Sequence, residues 1–353
     1  LTGLASPFIG SMADRYGYRR IMRLALLSIV LGLLFVGSSQ GIAIAIVGFV
    51  LMGFGFSGFV PTLHAYLSTK LPYRIRARGL GMLEYSWALA GILGLYTMGQ
   101  LIALTNWRVP FFVMAGGLLL MWLLLGFLPA ARPTDGHSTP ETIGHESDKA
   151  NADSPAMRIR TFFDVGSNAR SAYSAVVANT LLFFAGMQLF IVHGAWLSRE
   201  YGLGAVELGT VALILGCFDL SASVSVSLFT DRIGKLRSVT LGAAGVLLGY
   251  LVLPFLNFSV VSAVVGIALT RACFEFGIVS QISLMSEQAP EQRGKFLSLS
   301  AAFTLLGGTV ANLTGPWLYT TQGVWGLSLS SIAAMVVALF LLLTQVREII
   351  EES

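Results

Sequence analysis

The sequence predicts an all-α integral membrane protein built from two pseudo-symmetric helical bundles. Three observations carry this. The 353 residues are 55% hydrophobic and only 11% charged, whereas a water-soluble domain carries about 25% charged residues. The apolar residues fall in runs of membrane-spanning length. One short loop also occurs twice, each time between two such runs.

An apolar helix needs roughly 20 residues to cross about 30 Å of hydrocarbon. Runs of this kind lie at 21–38, 42–67, 79–104, 108–128, 170–197, 206–229, 238–256, 259–285, 294–319 and 323–345. The opening stretch, Leu1 to Ala13, is apolar but reaches only ~20 Å. With no initiator Met and no signal peptide in view, the chain is expected to begin inside a helix. Residues 131–160 are rich in Pro, Ser, Thr, Asp, Glu and His and have little to bury, so a flexible linker is predicted. The basic, aromatic piece from Arg158 to Phe163 suits the membrane surface. The domains expected are an incomplete N-terminal bundle over 1–128, a linker over 129–169, and a C-terminal bundle with a short tail over 170–353.

The repeated loop reads Gly10-Ser11-Met12-Ala13-Asp14-Arg15-Tyr16-Gly17-Tyr18-Arg19-Arg20 in its first copy. The second reads Ser227-Leu228-Phe229-Thr230-Asp231-Arg232-Ile233-Gly234-Lys235-Leu236-Arg237. Each joins antiparallel helices, so Gly17 and Gly234 are placed for backbone angles other residues resist. Asp14 and Asp231 suit the positive N-terminus of a nearby helix, and Gly10, with Ser227 as its small counterpart, permits close packing. Pro72 before Arg78-Gly79, and Pro290 before Arg293-Gly294, extend the repeat.

Basic residues set the orientation. Arg15, Arg19, Arg20 and Arg23 lie on one connection, and Lys70, Arg74, Arg76 and Arg78 on the next alternate one. The linker, the loop with Arg232, Lys235 and Arg237, the pair Arg293 and Lys295, and Arg347 continue the series. The opposite connections hold only Arg108 and Arg199. Both repeated loops, the linker and the C-terminus are therefore expected in the cytoplasm. The basic pI reflects this loop bias rather than nucleic-acid binding. Two cysteines, Cys217 and Cys273, lie in apolar runs and give no disulfide framework or metal site. His137 and His145 lie in the polar linker and are expected to be solvated.

The first loop matches the signature G-x-x-x-D-R-x-G-x-R-R, and the chain thereby resembles the major facilitator superfamily. The second copy is similar to that family's weaker echo in its other half. The resemblance implies two six-helix bundles, with the first helix and part of the second missing here. Arg78 to Trp87, Trp107-Arg108-Val109-Pro110-Phe111, Phe274-Glu275-Phe276 and Pro290-Glu291-Gln292-Arg293 look like the bacterial sugar and drug efflux branch. Asp219 stands where that branch more usually has Glu. The glycine-proline antiporter motif keeps Gly91, Gly94 and Gly99 but has no proline. The family implies alternating access by a monomer in the bacterial inner membrane, with no cofactor. The cargo implied is a small organic molecule moved outward in exchange for protons; uptake by symport is the alternative.

Charges within hydrocarbon usually mark protein-facing or watery sites. Glu84, Asp219, Arg271 and Glu275 fall inside the runs, and Asp219, Arg271 and Glu275 are expected to cluster. Arg271 and Glu275, one helical turn apart, are expected to pair locally. Asp219 would then be the less well paired acid and the proton carrier. Trp87, Asn179, Gln188 and Gln281 are cavity candidates, although such amides also serve as interhelical glue. His64 and His193 are expected near opposite membrane faces. No charged ring or carbonyl filter suggests a channel, and no nucleophile–base pair or metal-ligand set suggests an intramembrane enzyme.

Overall fold

The computed structural model describes residues 16–70, 86, 89–129, 168–288 and 293–347. Gly10, Asp14, Arg15, Glu84, Trp87 and linker residues 130–167 lie outside the described residues, as do the side chains of His64 and Asp231. The chain divides into two compact units, Leu1–Lys149 and Ala150–Ser353.

In the first unit α1 spans Tyr18–Ser38 and α2 spans Ile42–Lys70. A π-helical turn at Ala90–Gly94 leads into α3, Leu95–Leu104. Helix α4 runs over Val109–Leu124 and tightens into a 3-10 turn at Leu125–Phe127. In the second unit α5 is Ala169–Tyr201, α6 is Ala205–Ile233 and α7 is Lys235–Val252, followed by a 3-10 turn at Leu253–Leu256. Helix α8 is Val260–Gln288 and α9 is Arg293–Thr344.

The two loops share one backbone device. Gly17 caps α1 at φ 90°, ψ 141°, and Gly234 caps α7 at φ 97°, ψ 145°. A Cβ would clash in that region, so glycine is required in both. Helix α6 ends at Ile233 and α7 starts at Lys235, so the second turn is a single residue.

The helix that follows each loop packs glycine to glycine on the helix after it. A Cβ built on Gly32 of α1 would stand 2.6 Å from the carbonyl oxygen of Gly48 of α2. One built on Gly242 of α7 would stand 2.5 Å from Cα of Gly277 of α8. In lipid, where apolar burial drives helix association weakly, such close backbone approach supplies dispersion contact instead.

Helix α9 comprises two helical arms, as expected from the runs at 294–319 and 323–345, with the break at Gly323, whose φ is 64° and ψ −153°. Gln188 of α5 bonds Thr314 before the reversal and Ser330 after it, so the two arms lie side by side.

Polar contacts close the helix ends. In the second unit Ser171 Oγ donates to Gln288 Oε1 at 2.7 Å, Gln288 Nε2 donates to the Arg347 carbonyl at 2.9 Å, and the Arg347 amide donates to Ser171 Oγ at 2.9 Å. That triangle ties α5, α8 and the exit from α9. In the first unit Tyr66 Oη donates to the Pro129 carbonyl at 3.2 Å, and Arg19 Nη1 to the Leu128 carbonyl at 2.9 Å. At the other end of the second unit Asn257 Oδ1 accepts from Trp196 Nε1 at 3.1 Å and Tyr201 Oη at 2.6 Å. Outward faces are apolar, with Leu24, Leu248, Leu313 and Trp317 all exposed. Eight described helices are long and apolar enough to cross a membrane.

Candidate functional site

The charges at depth converge in the second unit, between α6 and α8. Arg271 Nη2 donates to Asp219 Oδ2 at 2.5 Å, and Nε lies 3.4 Å from Oδ1. The guanidinium thus addresses both carboxylate oxygens, the geometry that makes such pairs strong. The pair is partly open, with 14% of the Arg271 side chain and 23% of the Asp219 side chain exposed. One turn along both helices a second rung forms, where Ser223 Oγ donates to Glu275 Oε1 at 2.8 Å.

The short ion pair of Arg271 runs across to Asp219 of α6. Asp219, expected as the less well paired acid, is held directly by the arginine.

On its other side the guanidinium lies over the ring of Phe190 of α5, 4.5 Å from its centroid, a cation–π contact. Phe190 in turn meets the His193 ring edge-on at 6.1 Å. His193 is therefore not an isolated interfacial residue: it lies within electrostatic reach of Arg271 and Asp219. Its Nδ1 faces the carbonyls of Phe190 at 2.8 Å and Leu189 at 3.2 Å. Two carbonyl acceptors require a proton on Nδ1, which leaves Nε2 as the basic nitrogen. The i,i+3 spacing of Phe190 and His193 was the only sequence signal for this contact.

The amide candidates face neighbouring helices. Gln188 is fully buried: Nε2 donates to Thr314 Oγ1 at 3.1 Å, and Oε1 accepts from Ser330 at 2.8 Å and Ser331 at 3.2 Å. Asn179 Nδ2 donates to Thr304 Oγ1 at 2.7 Å. Gln281 Nε2 donates to the Ala175 carbonyl at 3.1 Å. All three act as glue in this structure; Asn179 Oδ1 and Gln281 Oε1 are buried acceptors with no donor among the described residues. Cys217 and Cys273 are free thiols. Among the described residues no three His, Cys, Asp or Glu side chains gather as metal ligands.

The site is thus a partly open guanidinium between helices, with a carboxylate on it and a second acid one turn away. The sequence model of the Major Facilitator Superfamily matches residues 1–290. The chain belongs to the major facilitator superfamily. As a superfamily member it is a multi-pass membrane protein from a family of transporters, not of enzymes. It is 25% identical over 326 residues to the uncharacterized MFS-type transporter YwfA of Bacillus subtilis (strain 168), covering 91% of this chain and 74% of that one. It is 22% identical over 340 residues to the glucose transporter GlcP of Staphylococcus epidermidis, covering 88% and 74%. A 126-residue stretch is 30% identical to the multidrug resistance protein MdtG of Salmonella typhi, covering 36% and 31%. The superfamily fold is shared with the crystal structure of a D-xylose–proton symporter, at a TM-score of 0.76 and 16% identity over 98% of this chain and 85% of that one.

Proposed function

We propose that this protein is a secondary active transporter that moves a small organic solute outward across the bacterial inner membrane in exchange for protons. The observation that carries the proposal is the Asp219–Arg271 ion pair, partly open and deep between apolar helices. Protonating Asp219 removes the charge that holds Arg271. The guanidinium is then released toward Glu275, one turn along α8. Breaking a pair in low dielectric changes the energy of the α6–α8 contact, which biases one state of the bundle over another. Glu84 is kept as a further substrate or proton candidate and Trp87 as a cavity candidate.

The repeated loops are the proposed gates. Gly10, Asp14, Arg15, Gly17, Arg19 and Arg20 would steady one closed face, with Asp14 against the start of α9. Asp231, Arg232, Gly234 and Arg237 would play the matching part against the helix that begins near Gly79. The basic loops, the linker and the C-terminus would lie in the cytoplasm. The protein would work as a monomer in lipid, with no nucleic-acid partner.

Resemblance to MdtG favours outward movement. Resemblance to GlcP, over far more of the chain, favours the second reading, uptake by symport. Transport of a compound panel in everted membrane vesicles, with and without a pH gradient, separates them. Proton-driven accumulation in everted vesicles is the result for efflux, and gradient-driven release is the result for symport. Asp219→Asn should abolish gradient-driven movement while substrate exchange remains. Gradient-driven movement at the parental rate would remove Asp219 from the coupling mechanism.

A further inference from the structure

Arg23 lies one turn beyond Arg19 on α1, about 8 Å along the axis from Tyr18. Its guanidinium carbon stands 4.1 Å from the centroid of the Trp122 ring of α4. Its Nε is shut off from solvent and has no hydrogen-bond partner. Among the described residues no acceptor meets this guanidinium at all. Arg19 and Arg108 of the same unit each find a carbonyl acceptor, that of Leu128 and that of Ser39, and Arg108 also stacks on Trp107.

A guanidinium carries five donors and cannot shed its charge. Left without an acceptor at the edge of the hydrocarbon, it is unfavourable. Stacking on an indole satisfies its face but supplies no acceptor to its in-plane N–H groups. That edge matches two oxygens of a phosphate. Trp122 suits the depth at which phospholipid headgroups begin. Arg20, exposed beside it, and Arg19 add positive charge at that level. Immediately next to the two stacked residues, Leu24 on α1 and Leu123 and Leu124 on α4 are exposed, as a surface in contact with acyl chains would be.

We propose that Arg23 and Trp122 form a binding site for the phosphodiester headgroup of an anionic phospholipid, seated on the α1–α4 face. A bilayer lipid rather than a free phosphate is the occupant, because exposed leucines adjoin the charged group. A net-negative headgroup is favoured over a zwitterionic one, whose own cation would meet Arg19 and Arg20.

The test is native mass spectrometry of the full chain, released from detergent micelles doped with phosphatidylglycerol or phosphatidylcholine. The parent should retain phosphatidylglycerol about tenfold better than phosphatidylcholine. Arg23→Gln should remove most of that preference, and Arg170→Gln, at an exposed arginine of the second unit, should leave it. Millimolar inorganic phosphate should not displace the lipid. Equal retention of the two lipids by the parent overturns the proposal without reference to any variant. So does full retention by Arg23→Gln, equal loss in Arg170→Gln, or displacement by inorganic phosphate, which would mark a general anion site.

Discussion

Arg271 on α8 and Asp219 on α6, 52 positions apart in sequence, meet at 2.5 Å within the second unit. Removing either partner leaves a charge in a poor medium, whereas removing both does not. Arg271→Gln and Asp219→Asn should each destabilise the protein by about 1–3 kcal/mol, below the range for fully buried pairs because both side chains are partly open. The double variant should be more stable than the sum of the singles implies. Thermal unfolding of all four proteins in one detergent measures the coupling. Strict additivity would mean that the pair adds nothing to the fold.

Gln188 bonds three hydroxyls on the two arms of α9 from a fully buried position on α5. Gln188→Leu keeps the bulk and removes every one of these bonds. With interhelical hydrogen bonds worth roughly 0.6 kcal/mol each in membranes, a loss of about 1–2 kcal/mol is expected. A drop in unfolding temperature, with increased proteolysis of α9, is the outcome to look for; an unchanged protein would show that these hydroxyls are satisfied equally well without the amide.

Gly242 has no room for a methyl group, which would stand 2.5 Å from Cα of Gly277. Gly91 has nothing within 4 Å of such a group. Gly242→Ala must therefore separate α7 from α8 and should cost about 1–3 kcal/mol as an overpacked contact. Gly91→Ala should be neutral or slightly stabilising. Yields of monodisperse protein in size-exclusion chromatography after a heating series rank the two, and the reverse order would contradict the close approach.

Gly17 and Gly234 share one backbone conformation. Alanine at either position should destabilise by about 1–3 kcal/mol, because the strain belongs to the dihedral angles rather than to any neighbour. The two losses should be similar. If one variant were tolerated and the other not, the loops would not be equivalent turns.

Much of this fold could be read from the sequence, because lipid allows few alternatives. Spans are long apolar runs, basic residues favour one face, and a turn between antiparallel helices needs glycine at a fixed place. Gly17 and Gly234 were legible for that reason. The break between the last two runs was expected at 320–322, one residue before the non-helical Gly323. Thr320 Oγ1 donates to the Pro316 carbonyl at 2.9 Å, and Thr321 Oγ1 to the Trp317 carbonyl at 2.8 Å. Hydroxyls satisfied by the preceding turn let a helix continue through lipid. That Asp219 and Arg271 would meet was legible from their depth in the apolar runs, but the geometry of the pair is set by side-chain direction between helices, which spacing along one helix does not encode. The part played by His193 depended on a third helix, α5, bringing Phe190 under the guanidinium.

The reversal at Gly323 has a consequence for how the protein is made. The apolar stretch from Leu299 to Thr344 is 46 residues long, enough at 1.5 Å per residue for about two crossings of the hydrocarbon. Only the short exposed polar step Thr320-Thr321-Gln322 and Gly323 separate the first crossing from the second. So brief a connection favours insertion of the two arms as one hairpin. The last crossing cannot be placed in the bilayer until the one before it has been committed.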